Sequence, residues 1–254
     1  MKSVILAALM AIGTTQAASI PKSKSDYCSS QKSVKRHQRI LEEDDMRMAR
    51  RNYGGLVGGG VCWWHSRFQR NAAYLTIYRP DKARPSERKL KRLVKDIRKG
   101  RKVIEIPGYS NFKEFSRDNY EEIQKNLESW QRIDGMVFQH WVIGLAGSSI
   151  RTPEAMKKEM DELYAQTQQG DVVYQKLQIK GITAHAWLVI GMEKTTNGYD
   201  LFVVDSNYPN STQKYTYEEG DDSFYYYGYG AFSPYTGKNS ELNRIKEIAS
   251  DYCN

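Results

Sequence analysis

The chain has too few metal-binding side chains in any one place to suggest a metal centre. Histidine occurs four times and cysteine three times. Cys62 and His65 are spaced to share a helix face, but nothing completes a tetrahedral ligand set around them. No metal and no cofactor is expected. Long apolar runs are missing as well: residues 4–12 form one, and it is too short to cross a bilayer as a helix. There is no internal repeat, no flexible interdomain linker and no wall-binding module. No recognition motif accompanies the basic charge, so specific nucleic-acid binding is not expected.

What is present begins with residues 1–17. Lys2 leads into the apolar run, and small residues end it at Thr15-Gln16-Ala17. One positive charge, a short apolar region and small residues at −3 and −1 read as a signal peptide cut after Ala17, which places the protein outside the cell or in a periplasm. The 237 residues left suit one domain or a two-lobed domain with ample core, expected to act as a monomer. Lys and Arg outnumber Asp and Glu by 38 to 30, a net charge of +8. Such a surface favours anionic partners (cell-wall polymers, anionic lipid or acidic substrates) without bearing on fold. Cys28 and Cys253 lie near the two ends of the mature chain and are the obvious disulfide pair in an oxidising compartment. Closing so long a loop is worth a few kcal/mol at most. Cys62 is then an odd free thiol, either catalytic or a packing residue.

Residues 18–36 are rich in Lys and Ser and read as partly extended, and residues 34–51 carry helical spacing on a charged, exposed segment. Together they form an N-terminal extension, 18–51, readable as a pro-segment. Five glycines crowd the seven positions 54–60 just before Cys62, a density that regular structure does not tolerate cheaply but a sharp loop does. A helix is expected over 62–76. Another is expected over 86–99, with Leu90, Leu93, Val94 and Ile97 as its apolar stripe and Gly100 as its stop. Further helices are expected at 120–133, at 153–169 behind the cap Thr152-Pro153, and at 240–251. Strands are expected at 103–106, 172–179, 183–192 and 199–204, the last two joined by the Asn197-Gly198 turn, with more in the tyrosine-rich stretch 215–229. A helical half followed by a strand-rich half is an α+β pattern.

A thiol nucleophile needs partial ionisation, a base within hydrogen-bond reach and a group that orients the base. Cys62 stands where a glycine loop enters a helix, and a helix N-terminus favours the thiolate. Its own backbone N–H would point at a developing oxyanion. Among the histidines, His37 lies in the charged segment and is the poorest base. His140 reads as a core histidine or a residue lining the site. His185 opens a strand, and the hairpin returns the next strand to end at Asp205 beside it. Asp205 can hold one ring nitrogen of His185 while the other faces Cys62. His185 alone could equally be a core histidine and Asp205 a turn residue.

Gly60-Val61-Cys62-Trp63 resembles the nucleophile segment of papain-like cysteine peptidases, the strand from His185-Ala186 resembles their histidine strand, and Asp205-Ser206 resembles their third catalytic segment. The order agrees, with His185 lying 123 positions after Cys62 and Asp205 a further 20 on. The resemblance covers three short segments within residues 54–210. It implies a two-lobed catalytic domain over 52–254, with a helical N-terminal half that carries the nucleophile helix and an antiparallel strand-rich C-terminal half. The site would lie in the cleft between them. It implies cleavage of peptide bonds in peptide or protein substrates, cell-wall peptide among them, through a Cys62 thioester. The same triad serves peptidoglycan peptide hydrolases and transglutaminase-like acyl transferases, and a degenerate scaffold could bind without catalysing. The family's oxyanion-donating glutamine is missing before Cys62. Asn52, Gln139 or a glycine N–H are the candidates for that second donor beside Cys62 itself. Gly59, Gly60, Trp63 and Trp187 are candidates for the substrate cleft, with a core role the alternative for the aromatics.

Overall fold

The computed structural model describes residues 19–55, 60–136, 148–180, 184–228, 230–237 and 240–254. Its spine is helix α3, Cys62–Leu75. Every residue of this helix except Arg67 is buried, so it has no solvent face, and its polar side chains must find partners inside the protein. They do. Gln69 accepts from the Met48 N–H at 2.8 Å, and Asn71 donates to the Ile97 carbonyl at 2.9 Å. Ser66 donates to the Ala186 carbonyl at 3.3 Å.

Two short helices precede the spine, α1 (Lys24–Ser30) and α2 (Arg36–Glu42). Helices α4 (Glu87–Lys99), α5 (Phe112–Asp118) and α6 (Tyr120–Met136) surround it. Strands β1 (Thr76–Arg79) and β2 (Ile104–Pro107) form a small parallel pair. Helix α4 buries Leu93, Val94 and Ile97, most of the stripe its spacing announces. It ends in left-handed Gly100, whose N–H returns to the Asp96 and Ile97 carbonyls.

Helix α7 (Pro153–Gln168) begins as its sequence announces, with the Thr152 hydroxyl accepting from the Ala155 N–H. It leads into six antiparallel strands. These are β3 (Val173–Ile179), β4 (Ala184–Thr195), β5 (Gly198–Asp205), β6 (Thr212–Glu218), β7 (Phe224–Tyr226) and β8 (Gly230–Tyr235), hydrogen-bonded in the order β6-β5-β4-β3-β8-β7. The sheet curls until its two edges face each other. Tyr215 of β6 lies 5.9 Å from Phe224 of β7 and 5.7 Å from Phe232 of β8, around the wholly buried Trp187 of β4. Met156, Met160 and Leu163 of α7 belong to the same apolar cluster. The opposite face of β4, with Ala186, Leu188 and Ile190, joins the larger cluster around α3. The protein is thus a mixed α+β structure, helical before its strand-rich half, closed by helix α8 (Ser240–Cys253).

The N-terminal extension departs from expectation. Its helices are short and largely buried. Tyr27, Ile40, Leu41, Met46 and Met48 are among the most deeply buried apolar residues of the main core. His37, expected on an exposed surface, is buried and stacked on Tyr74 with ring centroids 3.6 Å apart. Lysines and arginines at 32, 35, 36 and 39 suggest a solvated segment, but Arg36 is itself buried, over the Tyr27 ring. The Cys28–Cys253 disulfide is present and ties α1 to α8. Cys62 takes no part in that disulfide.

Each fully buried apolar side chain contributes about 1.5–3 kcal/mol, so five of them approach the whole stability of a domain, about 5–15 kcal/mol. A chain starting at residue 52 is expected to show no cooperative thermal transition. Cys28→Ser/Cys253→Ser should fold but lose roughly 2–5 kcal/mol in urea titration. A truncated chain as stable as the longer one would contradict this packing.

Candidate active site

The loop before α3 sets the position of Cys62. Gly54, Gly55 and Gly60 all have positive φ, from 71° to 80°, a region that side chains avoid. Gly60 also leaves no space for a side chain, since a Cβ there would stand 2.5 Å from Nδ2 of Asn52. The turn closes through the Gly60 N–H to the Gly54 carbonyl at 2.7 Å. Gln131 of α6 then holds the Gly60 carbonyl from its side chain at 2.9 Å.

Asn52 braces this loop against the residues that follow Asp205. Its Oδ1 accepts from the Val61 N–H at 2.6 Å, and its Nδ2 donates to Oδ1 of Asn207 at 3.2 Å. Its backbone N–H donates to the Ser206 carbonyl at 2.7 Å. The side chain considered above as an oxyanion donor therefore first of all links residues 60–61 to residues 206–207. Of the other candidates, Gln139 and Gly59 lie outside the described residues, as does His140.

Cys62 is the first residue of α3, where N–H groups have no partner within the helix. The helix is fastened to β4 at the same end, because Trp63 Nε1 donates to the His185 carbonyl at 3.0 Å. Trp63 is thereby at the site, whereas Trp187, a candidate for the cleft, is wholly buried inside the curled sheet. There its indole N–H donates to Gln175 at 2.8 Å. Its ring lies on the same face of β4 as His185, but two residues farther along the strand, where Tyr215, Phe224 and Phe232 close over it.

The geometry brings Cys62, His185 and Asp205 together. His185 Nε2 lies 2.7 Å from Asp205 Oδ1, both side chains being buried. The same oxygen accepts from the Asn207 N–H at 2.7 Å. The imidazole is also hydrogen-bonded to the Cys62 side chain. With Nε2–H donated to the carboxylate, Nδ1 is the ring nitrogen left to face sulfur. Burial opposes a charged imidazole, but the Cys62 sulfur and the Asp205 carboxylate outweigh it and push the His185 pKa up to about 10.

A β-bulge makes the His185–Asp205 contact possible. From the turn, β4 and β5 pair regularly as far as Gly191 with Phe202, but the next pair is Val189 with Val203. Ile190 is the extra residue. Without it Asp205 would face Leu188 and project to the other side of the sheet; with it Asp205 pairs with Trp187, on the face that His185 shares. A one-residue change in register reverses every later side chain. His185 is then the diagonal neighbour of Asp205, within reach of a long side chain. The glycine inside the strand pattern, Gly191, is the sequence signal for this bulge.

His65 is the second histidine close to this group. It is buried, and its Nε2 is 3.2 Å from the Arg50 carbonyl. Burial pushes its pKa down to about 4, against the pull of the Arg50 carbonyl and Asp205, with His185 adding to the fall. His65 is therefore a neutral donor at neutral pH and not a competing base. Among the described residues no group of three or more His, Cys, Asp or Glu side chains is placed to hold a metal ion.

The chain matches no protein-family model, no curated protein and no solved structure. Its chemistry has to be read from its own geometry.

Asn52→Ala removes two side-chain bonds from the part-buried brace and is expected to lower stability by about 1–3 kcal/mol. Asn52→Asp keeps an acceptor for the Val61 N–H and should lose less. Thermal unfolding of the two variants checks this; equal losses would mean the Val61 bond contributes nothing.

Proposed function

We propose that this protein is an exported cysteine hydrolase of papain-like, two-lobed design that cleaves amide bonds in peptides. The observation that carries the reading is the continuous chain of hydrogen bonds from Cys62 through His185 to Asp205. Export is supported by the signal-like segment 1–17 and by the Cys28–Cys253 disulfide. No helix among the described residues is long and apolar enough to cross a membrane.

In this reading the Cys62 thiolate attacks the carbonyl carbon of the scissile bond. The carbonyl π electrons move to oxygen, and the helix-terminal N–H of Cys62 stabilises that oxyanion. Asn52, Gln139 and a glycine N–H are the candidates for a second donor. The C–N bond then breaks as His185 gives its proton to the departing nitrogen, leaving a thioester on Cys62. Water adds to the thioester, losing a proton to His185. The C–S bond breaks, releasing the acid and restoring the thiolate–imidazolium pair. Asp205 fixes the ring so that one nitrogen faces sulfur throughout, and it stabilises the imidazolium.

A peptide library incubated with the disulfide-bonded protein and read by mass spectrometry tests the proposal. Cleavage is expected with wild type, together with an acid-stable, hydroxylamine-labile mass adduct on Cys62. Cys62→Ala should lose at least about a thousandfold in kcat/KM. Cleavage by Cys62→Ala at the wild-type rate would overturn it. Transfer of the acyl group to an added amine in preference to water would replace hydrolase with acyl transferase.

A further inference from the structure

Beside the nucleophile helix, walled by α3, α4, α6 and α8, lies a cavity of about 640 Å³, within the size range of ligand pockets, about 300–1,000 Å³. Arg67, Arg98, Lys99, Arg101 and Arg244 line it, with two carboxylates, Asp134 and Glu241. The carboxylates are already engaged. Asp134 Oδ2 accepts from Trp64 Nε1 at 2.8 Å and from Arg67 at 3.3 Å. Glu241 pairs with Arg67 at 2.7 Å and with Arg70, which is buried behind it. Burial disfavours the charge on Glu241, but Arg70 and Arg67 overcome it and hold its pKa at about 2. Among the described residues no carboxylate in the cavity pairs with Arg98, Lys99 or Arg101, and Arg244 reaches Glu241 only at 4.0 Å. The first residues of α8, Ser240 and Glu241, also line the cavity, so the positive end of a fourteen-residue helix faces it as well.

The cavity is joined to the candidate active site. Lys176 sits 4.0 Å over the Trp63 ring, and that indole is bonded to the His185 carbonyl. Lys176 is close enough to Arg67 to be depressed by it, after burial, which is the larger cause. On the other wall, α6 supplies Gln131 to the Gly60 carbonyl and Asp134 to Trp64. A chain of side-chain contacts therefore runs from the His185 carbonyl through Trp63 and Trp64, whose ring centroids are 5.8 Å apart, to Asp134 in the cavity.

Resting on the peptidase reading above, we infer that this cavity is a substrate subsite that takes acidic side chains of a polypeptide near the bond to be cut. A polypeptide fits better than nucleic acid. Single-stranded nucleic acid is held by open aromatic platforms, and the aromatic ring here, Trp130, is covered by Arg67 at 4.4 Å.

Fluorescence anisotropy of a fluorescein-labelled decapeptide of alternating Glu and Gly, added to the disulfide-bonded Cys62→Ala protein, tests the inference apart from turnover. Arg98→Glu/Lys99→Glu/Arg101→Glu is expected to weaken binding at least about tenfold. Lys89→Glu/Arg92→Glu/Lys95→Glu makes the same charge change on exposed positions of α4 outside the cavity and should stay within about threefold. Arg244→Gln, on the opposite wall, should also weaken binding and carries the test if the first variant fails to fold. Equal losses in the two triple variants, no binding by the starting protein, or tighter binding of a ten-nucleotide oligothymidine would each overturn the inference.

Discussion

A histidine shut away from water keeps a proton only if negative charge or strong acceptors meet its ring. His185 is 5% exposed, and two groups supply that compensation, the sulfur of Cys62 and the carboxylate of Asp205. Remove either and burial favours the neutral ring. Much of the surrounding structure serves this one electrostatic arrangement. The N-terminus of α3 presents the Cys62 side chain to the His185 ring. The Trp63 indole pins that helix end to the histidine strand. The Asn52 brace fastens the loop before Cys62 to the residues after Asp205. Three segments far apart in sequence are thereby held in one rigid group, as a reacting constellation requires.

The bulge at Ile190 sets the same arrangement from the side of the sheet. Sheets specify faces in units of one residue, so a carboxylate at the end of β5 is useful to His185 only in one of two parities. The extra residue in β4 selects it. The apolar residues agree on both sides of the bulge. Val189, Met192, Leu201 and Val203 all join the interior of the curled sheet, while Leu188, Ile190 and Val204 join the core around α3. Packing and the His185–Asp205 contact thus depend on the same register.

Much of this was legible in the sequence because it is local. The cap Thr152-Pro153, the stop at Gly100, the apolar stripe of α4 and the turn between β4 and β5 each follow from residues a few positions apart. Cys62 entering a helix behind a glycine loop was equally readable. The N-terminal extension misled because its charged residues suggest solvent, while Tyr27, Ile40, Leu41, Met46 and Met48 are buried by partners distant in sequence. Trp187 misled for a related reason: it shares a face of β4 with His185, but rings from distant strands, Tyr215, Phe224 and Phe232, enclose it there. Pairing of the short strands β1 and β2 and the bracing role of Asn52 are also tertiary properties, visible only once distant segments meet.

The central claim is that Cys62 and His185 form a thiolate–imidazolium pair. Its most direct test is the rate of iodoacetamide labelling of Cys62 against pH, in wild type and in His185→Ala. An ordinary thiol, with a pKa of about 8.5, is under about one per cent ionised at pH 6. The pair predicts labelling at about pH 6 nearly as fast as at about pH 8 in wild type. It also predicts a fall of at least about tenfold at the lower pH in His185→Ala. Labelling that rises with pH as for a free thiol, and identically in both proteins, would contradict it.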